Sequence, residues 1–170
     1  MRDNLRAAGK TRARPPAVDA LIAAALVILA GGIGNLATIP NIPTWYASLT
    51  RPPLTPPNWV FGPVWTLLYF LMAVAFYRVL RAESDSPGRT RALGVFFLQL
   101  ALNAAWSFAF FGAHSPALGL LTITPLLTLI VATIVLFRPL DTIAAWCLTP
   151  YAAWVCFATY LNAGFWWLNR

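Results

Sequence analysis

The chain has little of what soluble enzymes depend on. Its 170 residues include one histidine, two cysteines and five acidic residues, and charged residues make up 10% of it, against about a quarter in ordinary globular domains. There is no Ser-His-Asp set, no pair of carboxylates at one site and no glycine-rich phosphate loop, so conventional hydrolytic and phosphoryl chemistry lacks its residues. The lone His114 stands in the Gly112–Pro116 turn with no second His, Cys or carboxylate nearby in sequence. It fits a helix end at the water interface better than a haem-iron ligand, and Ser115 and Pro116 after it read as a cap and first turn. Cys147 and Cys156 are nine residues apart on one helical stretch, hence on opposite sides of it and out of disulfide reach. They read as small hydrophobes. No metal is expected.

Hydrophobic length is what the chain has. With 59% hydrophobic residues, it offers five apolar spans, Ala20–Ala37, Trp59–Tyr77, Ala92–Phe111, Ala117–Phe137 and Ala144–Trp167. Each is close to the roughly 20 residues a helix needs to cross the hydrocarbon core. The expected fold class is an all-α membrane protein, a five-transmembrane-helix bundle over residues 20–170. A basic tail (1–19) precedes it, and a proline-rich loop (38–58) joins the first two helices. The first span also resembles a cleaved signal sequence, because Arg2, Arg6, Lys10, Arg12 and Arg14 precede it. Signal cores usually run about 7–15 residues, and this run is longer, so a retained helix is expected. It lacks aromatics, and Gly31, Gly32 and Gly34 suit close approach to neighbours.

None of the spans holds an ionisable group away from its ends, which argues against an ion- or proton-driven carrier. Five spans with no internal repeat also do not split into matched inverted halves. The basic excess has a simple distribution: ten of the twelve Lys and Arg residues lie in the N-terminal tail, in Arg78 to Arg91 and at Arg138, leaving Arg51 and Arg170 on the other side. That is the positive-inside pattern. It predicts a multi-pass protein with a cytoplasmic N-terminus and explains the charge without nucleic acid as a partner.

Three spans gather their aromatic and amide side chains on one face. At about 100° per residue, Asn58, Phe61, Trp65, Tyr69, Met72 and Phe76 form one stripe. Gln99, Asn103, Trp106 and Phe110 form a second, and Tyr151, Trp154, Ala158, Asn162 and Phe165 a third. Converging stripes of this kind predict an aromatic, amide-edged cavity; taken alone they also fit ordinary helix packing. From Pro40 to Pro63 the chain carries seven of its fourteen prolines, with Trp45, Tyr46, Arg51 and Trp59. Proline lowers the entropy lost on ordering, so this loop should be a fixed structure, either a lid or an interfacial linker. On the third span Ala101, Ala105 and Ala109 form a small-residue stripe that suits a homodimer seam or packing within the chain.

Three groups of residues carry a family resemblance. Trp45-Tyr46-Ala47-Ser48-Leu49, Arg51-Pro52-Pro53-Leu54-Thr55-Pro56-Pro57 and Phe61-Gly62-Pro63-Val64-Trp65-Thr66-Leu67-Leu68-Tyr69 come first. Gln99 to Ser107 with Phe110-Phe111 is the second, and Pro150 to Trp154 with Phe157-Ala158-Thr159 and Leu161-Asn162 the third. In order and spacing, from about Gly31 to Asn169, these resemble the TspO/translocator protein family, formerly peripheral-type benzodiazepine receptors, in the form of its bacterial members.

The resemblance implies a five-helix bundle, commonly a homodimer, that binds tetrapyrroles such as protoporphyrin IX and in many members sterols and synthetic isoquinoline-type ligands. Family binding positions that match are Trp65, Tyr69, Asn103, Trp106, Trp154 and Ala158. Around them the candidate ligand-binding set extends to Trp45, Arg51, Phe61, Gln99, Ser107, Phe110, Tyr151 and Asn162. The tetrapyrrole is a ligand, and no resident cofactor is implied. The expectation is a ring among Trp65, Tyr69, Trp106 and Trp154, with hydrogen bonds from Asn103, Asn162 and Gln99 and its carboxylates toward Arg51.

Two departures limit what transfers. Leu54 stands where many members have an aromatic residue and Arg51 where lysine is usual. The segment after Asn162 lacks the tyrosine and arginine of the cholesterol motif of animal members, so sterol binding is less expected than porphyrin binding. The implied function is transport, sequestration or regulation of porphyrins in a bacterial cytoplasmic membrane. The alternative is light- and oxygen-dependent porphyrin degradation through Trp65 and Trp154. No general acid or base is present to organise turnover, so binding rather than enzymatic activity is expected.

Overall fold

Long apolar segments satisfy their backbone groups most completely as helices, and the chain folds accordingly. The computed structural model describes residues 14–82 and 86–170; of the basic tail expected over residues 1–19, residues 1–13 lie outside them and 16–19 belong to the first helix. Helix α1 spans Pro16–Thr38, α2 Asn58–Arg81, α3 Arg89–Ser107, α4 Pro116–Phe137 and α5 Thr142–Leu168. There is no strand among the described residues, and the five helical segments are each long and apolar enough to cross a membrane. The protein is an all-α, five-span membrane protein. Large apolar side chains such as Leu21, Ile28, Leu36, Leu121 and Val135 face outward, as a bilayer requires.

Local chemistry sets the helix starts. Pro16 occupies the first turn of α1, where a missing N–H costs nothing. The Ser115 hydroxyl accepts from Leu118 N–H at 3.2 Å to begin α4, and the Asp141 carboxylate accepts from Ala144 N–H at 2.8 Å to begin α5. Arg78 at the end of α2 grips the same carboxylate, Nε donating at 2.9 and 3.0 Å and Nη2 at 2.9 Å. Asp19, one residue before the first apolar span, is 5% exposed and pairs with Arg81 at 3.2 Å, tying α1 to α2. The Arg78–Asp141 and Arg81–Asp19 contacts gather at one end, here called the basic end.

The helices close into a ring: α1 packs on α2, α2 on α5, α5 on α4, α4 on α3 and α3 on α1. Toward the basic end the interior is solid. Phe76, Phe96 and Phe137 stack face to face with centroids 5.1 and 5.8 Å apart, and Met72, Ala75 and Val79 are fully buried. Ala101 and Ala105 of α3 are exposed and Ala109 half-buried, so the first two lie outside the ring's own packing.

At the far end the structure departs from the expected loop 38–58. Helix α1 continues through a 3₁₀ turn, Ile39–Asn41, and a π turn, Ile42–Tyr46. Side chains keep the chain coiled there by bonding carbonyls four residues back: Thr38 to Gly34, Asn41 to Ala37 and Thr44 to Pro40, at 3.1, 2.8 and 3.1 Å. The remaining connection, residues 47–57, is fixed, and α5 is what fixes it. Thr50 exchanges two hydrogen bonds with the Asn169 amide at 2.8 and 3.0 Å, and Tyr160 O–H donates to Pro53 C=O at 3.2 Å. Pro52 lies so close to Gly164 that a Cβ there would come within 2.5 Å of it. Helix α3 likewise ends in a π turn, Phe108–Gly112, and His114, at φ 50°, turns the chain into α4.

The Asp141 contacts have a pH signature. Burial alone would raise its carboxyl, but the bonds from Arg78 and from the Ala144 N–H outweigh that and hold it below the usual range. Its contribution to stability is therefore full above the unfolded carboxylate value of about 4 and fades as pH falls through the lower folded value. Asp141→Asn keeps a cap acceptor and drops the charge, so it should lower the thermal midpoint at neutral pH and converge with wild type in strong acid. Asp141→Ala should cost about 1 kcal/mol more through loss of the cap. Circular dichroism melts in detergent across that range measure both; an Asp141→Asn deficit unchanged in strong acid contradicts this account.

Candidate functional site

Away from the basic end the ring is not filled. The α2 stripe turns Phe61, Trp65 and Tyr69 inward. Opposite stand Asn103, Trp106 and Ser107 of α3 and Trp154 and Ala158 of α5. Together with α1 they border a cavity of about 410 Å³, within the roughly 300–1,000 Å³ of small-molecule sites. No residue of α4 lines it. The lining holds no Asp, Glu, Lys, Arg, His or Cys, so the space is equipped to bind by shape, stacking and a few hydrogen bonds rather than by proton transfer.

Amides set the floor and one wall. Tyr69 O–H donates to Asn103 Oδ1 at 2.9 Å, and Asn103 Nδ2 donates to the Tyr151 hydroxyl at 3.0 Å, bridging α2, α3 and α5. The Trp65 ring rests 5.4 Å from Tyr69 and 6.3 Å from Tyr151. On the wall, Trp106 Nε1 donates to Asn162 Oδ1 at 3.0 Å, and Asn162 Nδ2 donates to Pro116 C=O at 2.7 Å. Gly119 makes room for this amide, since a Cβ there would lie 2.7 Å from Asn162 Oδ1.

An aromatic roof covers part of the far end, and exposed Ile39 and Trp59 of the lining border the rest. The two π turns face each other, bringing Tyr46 to 5.6 Å from Phe111 and Trp45 to 5.3 Å from Phe110, with Phe165 5.3 Å from Tyr46. Arg51 sits outside this roof, its guanidinium 5.5 Å over the Tyr46 ring.

Asn58 of the α2 stripe lines the cavity, and of the candidate ligand-binding residues Phe61, Trp65, Tyr69, Asn103, Trp106, Ser107, Trp154 and Ala158 line it. The others do not. Tyr151, Asn162 and Phe110 are buried behind the lining and hold it in place. Trp45 belongs to the roof, stacked on His114 at 4.9 Å, and Arg51 reaches the cavity only through Tyr46. Gln99, one turn toward the basic end from Asn103, is 1% exposed with neither amide atom hydrogen-bonded. Within the proline-rich segment 38–58, Thr38, Ile39, Ile42, Tyr46 and Asn58 line the space and residues 47–57 do not, so its contribution comes mainly from the part coiled onto the end of α1.

Sequence reasoning missed the α1 wall: Gly31, Gly34, Asn35, Thr38, Ile39 and Ile42, with Tyr46 beyond. A signal was present, because the small and polar residues 31, 34, 35 and 38 recur at helical spacing in an otherwise aliphatic span. Gly31 serves close approach to Tyr69 and Gly34 to Ser107, whereas Gly32 meets nothing within 4 Å. Trp59 and Phe111 also line the cavity.

With this geometry in view, the comparisons with known proteins are specific. The family model for the TspO/MBR family matches residues 23–168. The Tryptophan-rich protein TspO of Archaeoglobus fulgidus is 41% identical over 150 residues, covering 88% of this chain and 96% of that one. Protein CrtK of Rhodobacter capsulatus is 37% identical over 125 residues, 74% and 78% of the two chains. The human Translocator protein is 38% identical over 123 residues, 72% and 73%. The matched region takes in all but the first turns of α1 and every wall of the cavity, and the chain belongs to the TspO/MBR family.

Proposed function

We propose that the cavity binds flat, largely apolar macrocycles of the porphyrin class, and that the protein acts in their transport, sequestration or regulation in the membrane. Family membership supports a translocator or sensory role in general terms. The finer reading is carried by one observation: four indoles (Trp59, Trp65, Trp106, Trp154) and Tyr69 line a single space whose amide side chains are Asn35, Asn58 and Asn103. A porphyrin offers large faces for stacking, worth about 0.5–1.5 kcal/mol per aromatic pair beyond burial. Its carboxylates would reach the roof, where Arg51 lies over Tyr46. Sterols are the second class of occupant, since the lining is mainly hydrocarbon.

Titration of protoporphyrin IX into the protein in lipid nanodiscs, read by tryptophan emission and the porphyrin absorption band, tests this. Trp65→Ala and Trp154→Ala should each weaken binding about two- to tenfold, as loss of one stacking pair implies. Trp146→Phe, exposed on the outer surface, should bind like wild type. Wild-type affinity in both cavity variants would refute the proposal. Arg51→Ala should weaken protoporphyrin more than its dimethyl ester; equal losses would mean the carboxylates lie elsewhere.

A second reading rests on Trp65 and Trp154 both lining the space, because oxidisable indoles against a photoexcited porphyrin suit light- and oxygen-dependent degradation. Illuminating the complex in air discriminates. A defined bilin-like absorbance that vanishes in Trp65→Phe and Trp154→Phe supports degradation, and quenching without product supports binding alone.

A further inference from the structure

The polar groups of the cavity divide by what they are already bonded to. Asn103 and Tyr69 bond each other, and Asn103 bonds Tyr151 as well. Trp106 Nε1 is spent on Asn162, and Thr38 returns its hydroxyl to Gly34 C=O at 3.1 Å. Asn58 is the first residue of α2, at the end of its span, where water reaches it. Between the floor and the roof, two lining groups that both donate and accept are left, exposed Asn35 and half-buried Ser107. Among the described residues neither side chain has a hydrogen-bond partner.

Ser107 is unusual for a hydroxyl in a span. Every threonine of α1, α2, α4 and α5 donates to the carbonyl four residues back, the common resort of a hydroxyl in a helix. Ser107 Oγ instead lies against α1, where a Cβ on Gly34 would be 3.0 Å from it. Asn35 follows Gly34 in the chain, so amide and hydroxyl stand at one level, on the α1–α3 side of the cavity. Across from them, α2 and α5 supply the indoles of Trp65 and Trp154. A polar group without a partner in apolar surroundings costs free energy, and both of these face a space that a ligand can fill.

From this division we infer that Asn35 and Ser107 are specificity-determining residues, and that they read a neutral hydroxyl group on the edge of the ligand. The inference rests on the reading of the cavity as a site for porphyrin-class molecules, and it narrows that class. A hydroxyl both donates and accepts. An amide or a second hydroxyl completes both bonds, whereas an indole N–H only donates. No cation lines the space, so an ionised oxygen at this level would be buried without a counter-charge. A hydroxyl-bearing macrocycle therefore lies with that edge toward α1 and α3 and the opposite edge toward Trp65 and Trp154.

Hematoporphyrin dimethyl ester and mesoporphyrin dimethyl ester share ring and esters and differ in carrying hydroxyethyl or ethyl groups, so the pair isolates the hydroxyl. Kd values for both, from quenching of tryptophan emission with the full chain in nanodiscs of one lipid composition, test the proposal. Referring each variant to wild type in the same lipid cancels the unequal partitioning of the two esters into the bilayer. Ser107→Ala and Asn35→Leu should each weaken the hydroxylated ester about three- to tenfold more than the ethyl one, as loss of one neutral hydrogen bond implies. Saturable mesoporphyrin ester binding in a variant shows that it is folded. Equal losses for the two esters in both variants would overturn the proposal, by making these residues wall without discrimination. No loss for either ester would also overturn it, by leaving both side chains to water. Absence of saturable quenching by either ester in wild type would remove the porphyrin-class reading itself, an outcome distinct from the other two.

Discussion

Two buried amides hold the interior of this bundle open. Helices in lipid gain little from apolar association and depend on close packing and side-chain hydrogen bonds. Asn103 joins Tyr69 of α2 to Tyr151 of α5, and Asn162 joins Trp106 of α3 to the first carbonyl of α4. In each case the carbonyl oxygen accepts from one ring and the amide nitrogen donates to a second fixed group, so the amide has one orientation. The rings it holds then stand as walls. An unfilled space in a protein interior forfeits dispersion contacts, and free aromatic side chains would turn to fill it. Anchoring each ring by its polar atom prevents that collapse.

The rest of the fold divides around this open half. Toward the basic end, the Phe76–Phe96–Phe137 stack and the pairs Asp19–Arg81 and Asp141–Arg78 close the ring. At the other end, the two π turns bring their aromatics together as a roof. His114 is part of that roof. Asn41 spends its Nδ2 on Ala37 C=O and so turns Oδ1 to His114 Nε2 at 2.7 Å. The imidazole is hydrogen-bonded to Asn41 and stacked on Trp45, and it ties the end of α1 to the α3–α4 turn. The result is a cavity capped in part by aromatic rings and bordered by exposed residues where α1 meets α2.

Much of the site was legible because its lining is large and chemically distinctive. Trp65, Tyr69, Asn103, Trp106 and Trp154 stand out at helical spacing against aliphatic neighbours, and all of them line the cavity. The α1 wall was less visible because it works by absence. Gly31 and Gly34 contribute space and a bare backbone, which a search for aromatic and polar groups passes over. The coiled extension to Tyr46 was hidden for a different reason: Pro40 and Pro43 ordinarily argue for a loop, yet each falls in the first turn of a new short helical segment, where proline is tolerated.

Sequence by itself determined that this chain spans a membrane five times and which face of α2, α3 and α5 looks inward. Tertiary structure decided how deep each stripe stays open. Trp65 and Trp154 reach the cavity, while Gln99, Tyr151 and Asn162 on the same stripes are buried behind or below it. Helical periodicity fixes the angle of a side chain about its axis. It carries no information about the distance to the helix opposite, and that distance separates a wall from a core.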